Sequence, residues 1–137
     1  MRRVVLDPGV LVSALIASEG SPARLLREIR TGGLEPIVSP LLLGELEDVL
    51  ARPKFRRYAD LATVREYVAL LRRQALAVPD PDDPSPLRSP DPDDDYLIAL
   101  AQSQNAVLVS GDRHLLDIGG GAPILAPADL LGEVAPS

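Results

Sequence analysis

The residues of this chain that could do chemistry together are carboxylates from four separate segments. Asp7 and Asp112 each follow a short apolar run, Glu45 lies within an apolar helix pattern, and residues 91–95 hold four aspartates in five positions. Carboxylates crowded near a folded core repel one another, so they need water, hydrogen-bond donors or a cation. With no cysteine and one histidine in the chain, oxygen donors favour a hard divalent ion, Mg²⁺ or Mn²⁺.

The acidic segment 91–95 also has a simpler interpretation, as the solvated start of a helix. Aspartate is a favoured N-cap residue, and negative charge is stabilised at the positive end of the helix dipole. The apolar run after Asp95 predicts a helix that starts at Asp94 or Asp95 and reaches about residue 104. The choice between a cap and a metal site therefore depends on where the other acids lie.

The elements that position these acids alternate between short strands and helices. Strands are predicted at residues 4–6, 36–38, 77–78, 106–109 and 123–125, and helices at 10–17, 21–32, 39–51, 61–76, 94–104, 113–116 and 127–131. Asp7-Pro8-Gly9 predicts a tight turn after the first strand, and the prolines of residues 79–92 predict a loop. Apolar strands without polar alternation are typical of a parallel sheet covered on both faces. We predict an α/β fold: one domain over residues 1–137, a Rossmann-like three-layer α/β/α sandwich with a mostly parallel central sheet.

In such a sheet, the carboxyl ends of the strands and the amino ends of the crossover helices meet at one edge. Asp7 and Asp112 end strands, and Asp94 and Asp95 begin a helix. Glu45 lies about 60° from Leu42 around its helix, on the half that faces the core. We therefore expect the acids of all four segments to converge at this edge. An edge glutamate could instead reach water or pair with an arginine.

Charge and composition limit the partners of the chain. The net charge of −6 and the single Phe with three Tyr disfavour a protein that binds nucleic acid by charge and stacking over its whole surface. Local exceptions are the basic connector at residues 52–58, a candidate phosphate-contacting patch, and the stripe of Arg24, Arg27 and Arg30. No apolar run approaches the roughly 20 residues that span a bilayer, so we expect no membrane association and a cytoplasmic location.

Residues 4–15, 39–46, 52–55, 91–95 and 110–116 together resemble the PIN-domain ribonucleases, and most closely the VapC toxins of toxin–antitoxin pairs. The resemblance covers nearly the whole chain in the right order, and its specificity lies in the set of motifs. It implies a PIN-like fold, Mg²⁺- or Mn²⁺-dependent cleavage of RNA, frequent homodimerisation, and inhibition by a cognate antitoxin protein. Leu11, Leu15 and the arginine stripe form a candidate docking surface for that antitoxin.

Matched by position, Asp7, Glu45 and Asp112 correspond to the family's metal-binding acids. The remaining acid is Asp94, with Asp95 as its neighbour or substitute. The chain departs from the pattern in two places: Pro8-Gly9 stands where the family often has Thr-Asn, and His114 where a further aspartate is common. We expect His114 to lie behind the metal-binding acids or at the surface.

Two other functions remain open. Pro8-Gly9 lacks a hydroxyl and an amide that can position water or phosphate, which favours a catalytically degenerate PIN-like module that binds RNA or protein. An aspartyl-phosphate phosphatase or receiver domain could use Asp7 as phosphate acceptor. This third function lacks support, because the acid that such phosphatases use two residues on is absent, as is a receiver-like lysine near the last strand.

Overall fold

A computed structural model of the protein describes residues 2–81, 95–112, 116 and 124–134. The predicted loop beyond residue 81, the start of the predicted helix at 113–116, Asp94 and His114 lie outside the described residues. None of the helices in the described part of the chain combines the length and the apolar character that crossing a bilayer requires.

The described chain alternates strands and helices as the sequence predicts. The strands are β1 (Arg2–Leu6), β2 (Leu34–Val38), β3 (Leu76–Ala77), β4 (Val107–Val109) and β5 (Ile124–Leu125). The helices are α1 (Pro8–Ile16), α2 (Ser21–Arg30), α3 (Pro40–Leu50), α4 (Leu61–Gln74), α5 (Asp95–Ser103) and α6 (Pro127–Val134). A single 3₁₀ turn at Pro53–Phe55 connects α3 to α4.

The strands form one parallel sheet in the order β3-β2-β1-β4-β5. The chain adds β2 and β3 on one side of β1, then crosses to add β4 and β5 on the other. Such crossovers are right-handed. Helices α1 to α4 therefore lie on one face of the sheet, and α5 lies on the opposite face. Contacts of α1 with α2 and α3, and of α5 with β1 and β4, agree with this arrangement. The predicted three-layer α/β/α sandwich with a parallel central sheet is confirmed.

Helix α3 shows how the apolar pattern orients the element that carries Glu45. Leu42, Leu46 and Leu50 recur every four residues and are completely buried, whereas Glu47 is exposed. Burial of this stripe against the core therefore sets the rotation of the helix. Glu45 is half-buried at the edge of the stripe, as the helix pattern predicts.

The predicted tight turn at Asp7-Pro8-Gly9 is wrong, because α1 begins directly at Pro8 with Asp7 as its N-cap. The backbone N–H of Val10 donates to Asp7 Oδ1 at 2.8 Å. Proline is favoured at the first helical position, since its missing N–H would have no helical partner there. A Cβ on Gly9 would lie 3.2 Å from Asp7 Oδ1, so the glycine permits a close approach of the backbone to the carboxylate.

Tyr67 connects α4 to α1, because its buried hydroxyl donates to the Leu11 carbonyl at 2.6 Å. Burial raises the pKa of the Tyr67 phenol well above its ordinary value, so it remains a donor at physiological pH. We expect Tyr67→Phe to lower the free energy of unfolding by about 1 kcal/mol, the net contribution of one hydrogen bond. Urea unfolding measures this change, with Tyr58→Phe, at an exposed position, as the matched control. Equal midpoints for the two variants would contradict the assigned role.

Candidate active site

The candidate site is a cleft at the carboxyl edge of the sheet, where β1 and β4 lie side by side. Strand order reverses between these two strands, and ligands of open α/β sheets bind at such a point. The cleft has a volume of about 560 Å³, and three of the predicted acids line it: Asp7, Glu45 and Asp112. The structure thus brings together carboxylates from the end of β1, from α3 and from the segment after β4.

Asp7 is held rigidly in the floor of this cleft. Its side chain is buried, and its backbone N–H donates to the Val109 carbonyl at 3.0 Å. Burial raises the pKa of the Asp7 carboxyl; hydrogen bonds from the Ser110 hydroxyl and the Val10 amide oppose the rise, and the charges of Asp112 and Glu45 add to it. The cleft therefore holds a carboxylate whose charged form is disfavoured, a situation that a bound cation would relieve.

Ser110 connects two of the acids, and the sequence analysis did not select it. It is fully buried directly after β4, and its backbone N–H donates to the Leu125 carbonyl at 3.0 Å. Its hydroxyl bonds the carboxylate of Asp7 and accepts the backbone N–H of Asp112 at 3.0 Å. The feature of the sequence that could have pointed to Ser110 is its position, as a hydroxyl residue between a buried strand and Asp112.

Glu45 is held by Tyr96, a second residue that the sequence analysis missed. The Tyr96 hydroxyl donates to Glu45 Oε2 at 2.5 Å, across 51 residues of chain. Tyr96 directly follows Asp95, the first residue of α5, so this bond brings the start of α5 beside Glu45. The Ser39 hydroxyl caps α3 by accepting the Leu42 N–H at 3.3 Å, which fixes the start of the helix that carries Glu45.

Asp7, Glu45 and Asp112 provide carboxylate oxygens, the donor type that Mg²⁺ and Mn²⁺ prefer. The chemistry of the donor set therefore fits such an ion. Within the described residues, however, no group of three or more acidic or histidine side chains is arranged so that it could hold a metal ion. Asp94 and the side chain of Asp95 are not among those residues. The five predicted ligands, Asp7, Glu45, Asp94, Asp95 and Asp112, thus stay a prediction.

The predicted docking surface on the first helices is wrong in one respect. Leu11 is 2% exposed and belongs to the core, so it is not available to a partner. Leu15 is half-buried, and Arg24, Arg27 and Arg30 are exposed, as predicted. Arg27 donates to the Ser18 carbonyl at 2.5 Å, so this arginine also holds the turn between α1 and α2.

Comparison with known proteins places this architecture in a family. The model of the PIN domain matches residues 3–114. The uncharacterized protein MJ1680 of Methanocaldococcus jannaschii is 27% identical over 117 residues, which cover 85% of this chain and 74% of the relative.

Solved structures share the fold at low sequence identity. PAE2754 from Pyrobaculum aerophilum has a TM-score of 0.66 and 21% identity, covering 98% of this chain and 90% of that one. VapBC2 from Rickettsia felis, bound to a DNA fragment from their promoter, has a TM-score of 0.61 and 13% identity, with 90% and 96% covered. FitAcB from Neisseria gonorrhoeae has a TM-score of 0.60 and 14% identity, with 91% and 98% covered. Since the family model spans most of the sequence and these structures share its fold, the chain belongs to the PIN domain family.

Proposed function

We propose that this protein is a metal-dependent endoribonuclease that hydrolyses RNA phosphodiester bonds, and that it is the toxin of a toxin–antitoxin pair in the cytoplasm. PIN domains are generally nucleases, and the chain has the PIN fold. The observation that carries the proposal is the single cleft that Asp7, Glu45 and Asp112 line from three distant segments. Such a carboxylate-lined cleft suits phosphodiester hydrolysis assisted by a divalent ion.

In this proposal, Asp7, Glu45 and Asp112 hold Mg²⁺ or Mn²⁺ together with Asp94 and its neighbour Asp95. When bound, such an ion supplies positive charge at a scissile phosphate and lowers the pKa of a coordinated water.

The rest of the site positions these acids and admits the substrate. Ser110 and the Val10 amide orient the Asp7 carboxylate, and Tyr96 orients Glu45. The amino ends of α1 and α5 lie at the same edge of the sheet as the cleft, where their helix dipoles favour negative charge. The site thus combines oriented carboxylates with an environment that stabilises an incoming phosphate.

The direct test is metal-dependent cleavage of RNA by the purified protein. With an end-labelled single-stranded RNA, we expect cleavage in MgCl₂ or MnCl₂, none in EDTA, and recovery when metal is added back. Gel analysis of the labelled products measures the rate. The same cleavage rate in EDTA as in MnCl₂ would refute the metal-dependent mechanism.

The alternative is a catalytically degenerate PIN-like module that binds RNA or a protein. This alternative is favoured by Pro8 and Gly9, which line the cleft and provide neither a side-chain hydroxyl nor a side-chain amide. RNA binding without cleavage in either metal would support this alternative over the nuclease.

A cognate antitoxin and a homodimer are the proposed assembly partners. Support comes from the resemblance to VapC toxins and from the structural likeness to VapBC2 and FitAcB. Co-expression with the product of the adjacent reading frame tests the first partner, since an antitoxin should co-purify and suppress RNA cleavage. Light scattering of the isolated chain tests the second.

A further inference from the structure

A second cleft, of about 450 Å³, lies between the end of α1 and the connector that follows α3. We call it the basic cleft; its lining residues are Ile16, Pro53, Lys54, Phe55, Arg57 and Tyr58. None of them lines the active-site cleft. The basic cleft is therefore separate from the carboxylate cleft at the sheet edge.

Both clefts are lined by residues of α1 and by residues on or just after α3. On α1, Gly9 and Ser13 line the active-site cleft and Ile16 lines the basic cleft. These residues are spaced i, i+4 and i+7, so they share one helical face, and Ile16 lies about 10 Å along the axis from Gly9. On the other helix, Glu45 lines the first cleft, and Pro53, just beyond the end of α3, lines the second. The two clefts therefore lie along one face of α1, close enough for one extended ligand to contact both.

The connector that forms the basic cleft is held in place by the core. The Phe55 ring is buried, and its backbone N–H donates to the Arg52 carbonyl at 3.1 Å. The Arg56 guanidinium donates to the Leu50 carbonyl at the end of α3. The cations on this connector therefore have a defined position, which lowers the entropic cost of binding a ligand.

No ion pair among the described residues neutralises the positive charge of the basic cleft. Residues 49–59 contain four cations and no acid, in a chain whose net charge is −6. Among the described residues, the ion pairs involve Arg2, Arg3 and Arg72, and neither Lys54 nor Arg57 takes part in one. Such a local concentration of cations favours a polyanion over an apolar protein segment.

Tyr58 adds an aromatic surface to these cations. Its side chain is 48% exposed, in a chain with only four aromatic residues. The Arg57 guanidinium lies 4.9 Å from its ring centroid and donates to its hydroxyl at 2.8 Å. An exposed ring braced by an arginine is a stacking surface for an unpaired base, the type of contact that single-stranded nucleic acids make with proteins.

We propose that the basic cleft binds the single-stranded RNA substrate a few nucleotides from the scissile bond. Lys54 and Arg57 contact its phosphates, and a base stacks on Tyr58. The proposal rests on the proposed function for the identity of the polyanion. It adds a subsite outside the carboxylate cleft, on the opposite end of α1.

The test compares two pairs of charge-removing variants. Lys54→Gln/Arg57→Gln alters the basic cleft, and the matched control Arg65→Gln/Arg73→Gln removes two exposed cations from α4. Fluorescence anisotropy with a labelled single-stranded RNA of mixed sequence, in EDTA to prevent metal-dependent cleavage, measures affinity over a series of NaCl concentrations. Tyr58→Ala is the third variant. All the changed side chains are exposed, so circular dichroism and thermal midpoints should match the wild type.

We expect the Lys54/Arg57 double variant to bind RNA at least tenfold more weakly and to lose about 1.4 from the slope of log affinity against log salt, about 0.7 per phosphate contact. Tyr58→Ala should lose at least about fivefold in affinity. The α4 control should stay within about twofold of the wild type.

Equal losses in the Lys54/Arg57 double variant and the α4 control would overturn the proposal, because the effect would then come from net charge alone. Wild-type affinity in all three variants would overturn it as well. In either case, RNA cleavage by the wild type in MnCl₂ would still support the proposed nuclease function. A wild-type protein that neither binds nor cleaves RNA would instead refute the proposed function, and the basic cleft with it. If only the antitoxin binds to the basic cleft, the surface serves protein recognition and the RNA proposal is wrong.

Discussion

Replacing Asp7 by asparagine is expected to lower kcat/KM for Mn²⁺-dependent RNA cleavage by more than about a hundredfold, beyond the losses typical of residues that only support a metal ligand. The change removes the buried carboxylate charge but keeps an oxygen that can cap α1 by accepting the Val10 N–H. The loss should therefore come from metal binding and not from unfolding. Isothermal titration with MnCl₂ and initial rates on labelled RNA measure the two effects.

Asp60→Asn is the matched control for this variant. Asp60 is also the N-cap of a helix, with its carboxylate accepting the Thr63 N–H at 2.7 Å, but it is exposed and does not line the cleft. Its substitution should leave the kinetics unchanged. If Asp7→Asn cleaves RNA at the wild-type rate, the carboxylate site is not the catalytic centre.

The Asp7→Asn variant also tests how burial affects the charge of this carboxylate. Burial raises the pKa of Asp7 above its ordinary value, so the folded protein binds this proton more tightly than the unfolded chain does. Ionised Asp7 therefore opposes folding above its folded-state pKa, and this penalty diminishes as the pH falls towards the ordinary value of 3.8. In EDTA at neutral pH, Asp7→Asn should unfold at a higher temperature than the wild type, and added Mn²⁺ should raise the midpoint of the wild type only.

Replacing Glu45 by glutamine is expected to have the second large effect, again more than about a hundredfold on Mn²⁺-dependent cleavage. The amide keeps the size of the side chain and an oxygen that can accept the Tyr96 hydroxyl. Only the charge that would face a cation is lost. Glu47→Gln is the control, because Glu47 lies on the exposed side of the same helix and forms only a surface ion pair with Arg72.

Tyr96→Phe gives the intermediate case, since it leaves Glu45 charged but removes the hydroxyl that orients it. A roughly tenfold loss in Mn²⁺ affinity is expected, the lower end of the range for supporting residues. Equal activity of Glu45→Gln and Glu47→Gln would show that Glu45 has no part in catalysis. Unchanged Mn²⁺ affinity in Tyr96→Phe would show that its hydrogen bond does not position the acid.

A local stretch of sequence can fit two structures, which is why the predicted turn at Asp7-Pro8-Gly9 and the predicted exposure of Leu11 are wrong. Asp7-Pro8-Gly9 fits both a tight turn and the start of a helix, and only continuous packing of α1 on α2 and α3 selects the helix. The sequence also predicts Leu11 on a docking surface, yet its side chain is buried in the core and its carbonyl accepts the Tyr67 hydroxyl. Neither set of contacts is visible from the local pattern of α1.

The sequence alone predicts the layered α/β architecture and the side of α3 on which Glu45 lies, because strand and helix periodicities follow directly from which residues must be buried. It also placed Asp7 and Asp112 after strands, and parallel topology then required them to share an edge. Only the tertiary structure revealed Ser110 between two acids and Tyr96 on Glu45. It also showed that a basic cleft follows the same helices as the acidic one. These features depend on contacts between residues far apart in the chain, whose geometry exists only once the sheet has assembled and the helices have packed on it.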